Sequence, residues 1–202
     1  MRRVAVRDAL GPSAALAALS IALACAPDAV LLNWSWDRDA LGAGEWWRLW
    51  TGHFVHYSLR HALLDAAAVL LLGSIAENRL GRRFIALVLL FAAPLLSLAM
   101  LWIFPDVLEY RGASGLATVL GSLAGVALWR DNPRYRIVLA MLAAAYVGKT
   151  FCDAWIAPLT LTDLPAGVRV AWQVHLCGIA TGVVALATHR TCLTQRNAFS
   201  NQ

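Results

Sequence analysis

The chain has 202 residues, 60% apolar and only 14% charged, with a net charge of +5 and a mean hydropathy of +0.62. That composition excludes an ordinary soluble domain and a disordered chain. Its arginines sit in small groups at the ends of apolar segments, with no basic run or basic–aromatic stripe, which excludes a nucleic-acid partner.

Six apolar segments follow one another, each near the ~17–25 residues a helix needs to cross ~30 Å of hydrocarbon. The first, Ala9–Leu32, comes after Arg2, Arg3 and Arg7. A cleaved signal peptide ending near Ala22-Leu23-Ala24 or Ala24-Cys25-Ala26 is the alternative, but an uncleaved span preserves the charge pattern described below. A long loop, about Asn33–Ser58, carries Trp34, Trp36, Trp46, Trp47 and Trp50. Tryptophan favours the headgroup layer, so this loop is expected to lie partly in the outer interface. The remaining segments are Leu59–Ala76, Phe84–Phe104, Ser114–Trp129, Ile137–Ile156 and Val168–Thr188, followed by a tail over 189–202. Lipid cannot satisfy free backbone groups, and no alternating pattern of about ten residues suggests a barrel, so helices are expected. The fold class expected is an all-α membrane protein: one domain over 1–202, six transmembrane helices, surrounded by lipid bilayer.

Arginines set the orientation. Arg2, Arg3, Arg7, Arg79, Arg82, Arg83, Arg130, Arg134, Arg136, Arg190 and Arg196 fall on one side; Arg38, Arg48, Arg60, Arg111 and Arg169 fall on the other. The positive-inside rule then puts both termini in the cytoplasm.

Two polar residues stand out at membrane depth, where an ionisable side chain is by default a functional hypothesis. Ser114 opens the fourth segment inside Tyr110-Arg111-Gly112-Ala113-Ser114-Gly115, and His175 lies about seven residues into the sixth. At ~100° per residue, Gly121 and Gly125 share the Ser114 face, and Gly178 and Gly182 lie near the His175 face. Small residues at that spacing let helix backbones approach closely. Packing through these faces would bring hydroxyl and imidazole together in the outer half of the bilayer. The hydroxyl would be the nucleophile and the imidazole its base, and backbone N–H groups at the helix start would face a developing oxyanion.

Other polar residues have plainer readings. Lys149 and Asp153, four apart, share a helix face and are expected to neutralise each other, or else to touch substrate. His53, His56, Ser58, Arg60 and His61 are placed to line a water route to the serine. A haem or metal protein built on His53, His56, His61 and His175 is a rival, but no H-E-x-x-H occurs, and no metal or cofactor is expected. Cys25, Cys152, Cys177 and Cys192 lack C-x-x-C spacing and read as small buried apolar residues.

From about Glu45 to Thr188 the chain resembles the rhomboid family of intramembrane serine proteases. Gly112-Ala113-Ser114-Gly115 fits the family's G-x-S-G motif, and His175 to Gly182 fits its H-x-x-G-x-x-x-G helix. Trp47-Arg48 fits the first-loop motif, Glu77-Asn78-Arg79-Leu80-Gly81 the turn after the second span, and His56 and His61 the outer-end histidines. The short chain and the string Tyr110–Gly115 are similar to the rhombosortase branch. The resemblance implies a Ser114–His175 dyad without a third carboxylate. It implies His61, Asp65, Gly112, Ala113 and the Ser114 N–H around substrate and oxyanion. It further implies substrates that are single-pass membrane proteins, with Gly-Gly C-terminal anchors in the rhombosortase branch, released or transferred at a bacterial inner membrane with the site open to the periplasm.

Two positions depart from the family pattern. Asp65 stands where an Asn is usual; an ionised carboxylate would repel an oxyanion, whereas a protonated one would donate. Thr118 stands where many members place an aromatic against the histidine. A member that binds transmembrane helices without cleaving them is the alternative these departures raise.

Overall fold

The computed structural model describes residues 10–156, 164, 168 and 170–200, with side chains described as far as Thr188. Arg2, Arg3, Arg7 and Arg169, and the side chains of Arg190, Cys192 and Arg196, lie outside the described residues.

The expected first span divides in two. Helix α1 covers Pro12–Leu23 and α2 covers Asp28–Trp34, with Pro27 at the N-cap of α2. Proline has no N–H to continue a helix and disfavours helical backbone in the residue before it, which accounts for the break. Strand β1 (Trp36–Asp37), then α3 (Arg38–Gly42) and α4 (Arg48–Thr51), form the tryptophan-rich loop before α5, called the outer loop after its expected side. The long helices α5 (Leu59–Leu80) and α6 (Arg82–Ile103) follow. Strand β2 (Glu109–Tyr110) leads into α7 (Ser114–Asp131), then α8 (Arg136–Trp155) and α9 (Trp172–Ser200).

Among the described residues, three helices are long and apolar enough to cross a membrane by length and composition: Leu59–Leu80, Arg82–Ile103 and the stretch Pro133–Trp155, which includes α8. Pro12–Leu23 and Trp172–Thr188 are shorter apolar helices. Helix α7 is the packed centre of the bundle, with half of its residues buried between α5 and α9. Its inward face is Leu116, Val119, Leu120 and Leu123, each at most 1% exposed. Such burial explains why α7 can carry glycine, serine and threonine so freely: it meets protein, not lipid.

The connections are short. Gly81, at φ +92°, turns α5 into α6, and Asn132–Tyr135 turn α7 into α8. Arg79, Arg82, Arg83, Arg130, Arg134 and Arg136 therefore gather at one end, opposite Ser114. Arg79 pairs there with Asp131, and buried Glu77 accepts the Ser13 N–H at 2.9 Å, capping α1.

At the other end the outer loop is a built structure and not an interfacial skin. Trp36 is fully buried, while Trp46 and Trp47 are exposed, so only part of the tryptophan loop has the expected character. Arg38 donates to the Met100, Leu101 and Phe104 carbonyls at 2.9, 2.7 and 2.9 Å, capping the C-terminal end of α6. Buried Arg48 donates to Leu32 O and Ser35 O at 2.8 and 2.6 Å and pairs with Glu45, closing α2 in the same way. Both arginines had been counted as charges of the outer face; they are helix caps.

Pro94 inside α6 cannot bond the Leu90 carbonyl. The Trp50 indole N–H fills that vacancy at 3.0 Å, so an outer-loop side chain repairs a membrane helix.

Candidate active site

Three anchors aim the segment before α7. The antiparallel pairing Trp36↔Tyr110 and Asp37↔Glu109 fixes β2, a feature outside the expected all-helical pattern. Gly112 N–H donates to Gly52 O at 3.0 Å, and the Tyr110 hydroxyl donates to Gly112 O at 2.5 Å. Gly112 itself has φ +137°, and a β-carbon there would stand 3.1 Å from both Asp65 Oδ2 and His61 Nε2. Only glycine fits that backbone and that space.

The chain then enters α7 with Ser114 as its first residue. His175 lies in the first turn of α9, which begins at Trp172 with its ring against Phe104 and Trp155. Ser114 Oγ and His175 Nε2 are 3.1 Å apart. With the ring proton on Nδ1, Nε2 is free to accept the hydroxyl hydrogen. Nδ1 is buried with no hydrogen-bond partner among the described residues, so there is no third carboxylate of the triad kind.

The helices meet closely enough for this contact, but through one expected glycine pair only. A β-carbon on Gly178 would stand 2.8 Å from Gly115 O, and one on Gly182 would stand 2.6 Å from Ser122 Cβ. On α7, by contrast, the facing residues are Gly115, Thr118, Val119 and Ser122. Gly121 faces Leu72 of α5, and Gly125 has nothing within 4 Å. Counting ~100° per residue from Ser114 is too coarse to separate the α9 side of α7 from the α5 side.

His61, the third residue of α5, is placed by Ser58, whose hydroxyl accepts the His61 N–H at 3.1 Å as an N-cap. One turn on, buried Asp65 directs Oδ2 to His56 Nε2 at 3.1 Å and to His61 Nε2 at 3.5 Å. Ala113 N–H also reaches His56 Nε2, at 3.2 Å. One nitrogen cannot both accept from Ala113 and donate to Asp65. Either the proton lies on Nε2 toward Asp65, or Asp65 carries it and Nε2 accepts from Ala113. The ligand atoms of His56, His61 and Asp65 lie within 4.8 Å of one another, yet the Ala113 N–H competes for the lone pair that a metal on His56 would need.

Of the residues expected around an oxyanion, His61 and Asp65 adjoin the serine turn. Gly112 and Ala113 are there too, but the Gly112 N–H is engaged by Gly52 O, and the Ala113 N–H is engaged by His56 Nε2 when Asp65 holds the proton. The Ser114 N–H, at the first position of α7, has no intrahelical partner by geometry.

His53 is not on a water route. It is fully buried, with Nε2 held by Ala93 O at 3.0 Å and Ser97 Oγ at 3.1 Å, and burial lowers its pKa to about 4. His56 is likewise buried. A cavity of about 1270 Å³ instead opens between α5, α7 and α8. Its polar end holds Tyr57, His61, Asp65, Ser114, Lys149 and His175; its depth is apolar, with Leu72, Gly121, Gly125, Leu139 and Ala143. Lys149 and Asp153 pair at 2.5 Å, as their spacing implied. Cys25 is exposed and Cys152 and Cys177 are half-buried and unbridged, so none is the fully buried residue expected.

One neighbour of the Ser114–His175 pair is not among the residues the sequence singles out. Tyr146 of α8 packs on His175 with ring centroids 5.9 Å apart, and its hydroxyl lies 2.5 Å from Thr118 Oγ1. The aromatic absent from position 118 is thus supplied by another helix. The counting that paired Lys149 with Asp153, carried one turn back, would have found Tyr146 on the same face.

Compared with known protein families, residues 43–191 match the model of the Rhomboid domain. No curated protein sequence matches the chain. A match of that extent, on a helical chain with membrane-spanning helices, places the protein in the rhomboid family of intramembrane serine proteases.

Proposed function

We propose that the chain is an intramembrane serine endopeptidase that uses Ser114 as nucleophile and His175 as general base. The observation that carries this reading is the 3.1 Å contact between Ser114 Oγ and His175 Nε2 at the polar end of an otherwise apolar cavity. Ser114 Oγ attacks a substrate carbonyl as its proton passes to Nε2, and the same nitrogen returns that proton to the leaving amine. The acyl-enzyme is then resolved by water, or by another nucleophile if the outcome is transfer. Ser114 N–H and His61 stand nearest the oxyanion, with Asp65 a donor when it holds the proton.

The substrate class is a single-pass membrane protein whose anchor lies along the apolar depth of the cavity. The arginine-rich end supports six crossings with cytoplasmic termini and a dyad that opens to the periplasmic side of a bacterial inner membrane. Within the family, the sequence Tyr110–Gly115 favours a rhombosortase acting on Gly-Gly-tailed proteins. A second reading, a helix-binding member without activity, draws on Asp65 facing the serine turn.

A reporter tethered by a Gly-Gly-containing C-terminal anchor, coexpressed in bacterial membranes, tests this. Release by wild type and retention with Ser114→Ala is the expected result. Equal release by both removes the peptidase reading. Wild-type cleavage of unrelated anchors, with the Gly-Gly anchor untouched, removes the branch assignment alone.

A further inference from the structure

The catalytic-base candidate has little to hold it. His175 makes one polar contact among the described residues, to Ser114, and its buried Nδ1 has none. Where a carboxylate sits on Nδ1, it fixes the tautomer and the rotation of the ring. Here the ring must be oriented by packing.

Tyr146 supplies that packing, 5.9 Å away at an interplanar angle of 49°. Its own position is set by a hydrogen-bond chain. Thr118 Oγ1 donates its single hydrogen to Ser114 O at 2.9 Å, so in the 2.5 Å contact with Tyr146 the phenol is the donor. Tyr146 Oη, Thr118 Oγ1 and Ser114 O thus link the ring beside the base to the backbone of the serine.

The helix that carries Tyr146 is the most loosely held of the long ones. Thr150 is its one buried residue, and the cavity separates it from α5. At its far end Arg136 donates to Trp129 O at 3.1 Å; at the dyad end the tie to α7 is Tyr146 to Thr118.

We propose that Tyr146 is the positioning residue for His175, and that through it the dyad senses where α8 stands. This rests on the Ser114–His175 reading. With the ring and its anchor in place, Nε2 stays turned to Ser114. When α8 moves away the imidazole loses its wall, and proton transfer falters while the nucleophile remains exposed. Substrate-anchor binding and base orientation are thereby coupled through one side chain.

The test is saturation labelling of full-length, detergent-purified protein with a small fluorophosphonate, which yields both a maximal labelling rate and a half-saturating concentration. Tyr146→Leu is expected to lower the maximal rate about 10- to 100-fold, within the range that general-base catalysis contributes. Half-saturation by this small probe should change far less than the maximal rate, and the labelled fraction should be complete, since the nucleophile is retained and only its base is misplaced. Tyr146→Phe and Thr118→Val each remove one partner of the same hydrogen bond. Each should slow labelling about threefold, and the double variant no more than either alone. The acid limb of the pH–rate profile should move in Tyr146→Leu, because the ring's surroundings change.

A maximal rate within twofold of wild type in Tyr146→Leu overturns the proposal. So does a reduced labelled fraction with an unchanged rate, which marks a purely structural residue. If Tyr146→Leu does not fold, additive losses in Tyr146→Phe and Thr118→Val overturn it instead. Absence of labelling in wild type is a different failure: it removes the dyad itself.

Discussion

Gly178 of α9 lies against the carbonyl of Gly115 in α7, so closely that a β-carbon would stand 2.8 Å from that oxygen. Backbone cannot step aside as a flexible side chain can. Gly178→Ala and Gly182→Ala should each push the two helices apart, costing about 1–3 kcal/mol as overpacking does and lengthening the Ser114–His175 contact. Gly125→Ala meets nothing and should gain up to about 1 kcal/mol from helix propensity. Thermal midpoints in one detergent give the ordering; equal losses at all three sites would show that the seam is elsewhere.

On the proposed mechanism, the proton on Asp65 decides how the oxyanion is held. If its carboxyl donates, Asp65→Asn preserves a donor in the same place and retains at least about a tenth of the wild-type rate. Asp65→Leu removes it and should lose about 10²-fold, the scale of one oxyanion donor. Steady-state cleavage of a membrane-anchored reporter separates the two. Equal losses would mean that Asp65 acts only as a charged partner of His56 and His61.

The buried His53 gives the fold a pH dependence. Its pKa falls from 6.5 to about 4 in the fold, so between those values the unfolded chain binds a proton that the folded one refuses. Stability is therefore full above about pH 6.5 and falls as pH drops toward 4, by at most about 3 kcal/mol. Unfolding midpoints across that window should slope downward in wild type and flatten in His53→Gln. A slope of opposite sign would contradict the burial argument.

Trp50 and Pro94 form a compensating pair across two elements. Trp50→Phe leaves the Leu90 carbonyl without its donor in an apolar setting, at a cost of about 1–3 kcal/mol. Pro94→Ala restores a backbone N–H to that carbonyl, so Trp50→Phe should cost less in that background. A double-mutant cycle on thermal stability checks it, and strict additivity would dismiss the link.

Much of this arrangement was legible in the residues because membrane helices announce themselves by length and apolarity. The five segments from Leu59 onward reappear as helices, with ends shifted by a few residues except that α9 runs on to Ser200 through most of the expected tail, and Ser114 and His175 do meet. The break in the first span was visible in Pro27, but hydropathy averages over a single proline. The outer loop was opaque for a different reason. Arg38, Arg48 and Trp50 act on carbonyls 13 to 69 residues away in sequence, and no local periodicity encodes such partners. Counting arginines by side gave an orientation, yet could not distinguish a charge facing headgroups from one capping a buried helix end. The same limit hid Tyr146: its importance lies in what α7 and α9 bring to it, not in its own segment.

Fluorophosphonate labelling followed by peptide mapping tests the Ser114–His175 contact most directly. The adduct should map to Ser114 in wild type, vanish in Ser114→Ala, and form at least about 10²-fold more slowly in His175→Ala, the low end of what a general base contributes. An adduct that persists in Ser114→Ala, or forms in His175→Ala at the wild-type rate, would contradict the assignment of nucleophile and base.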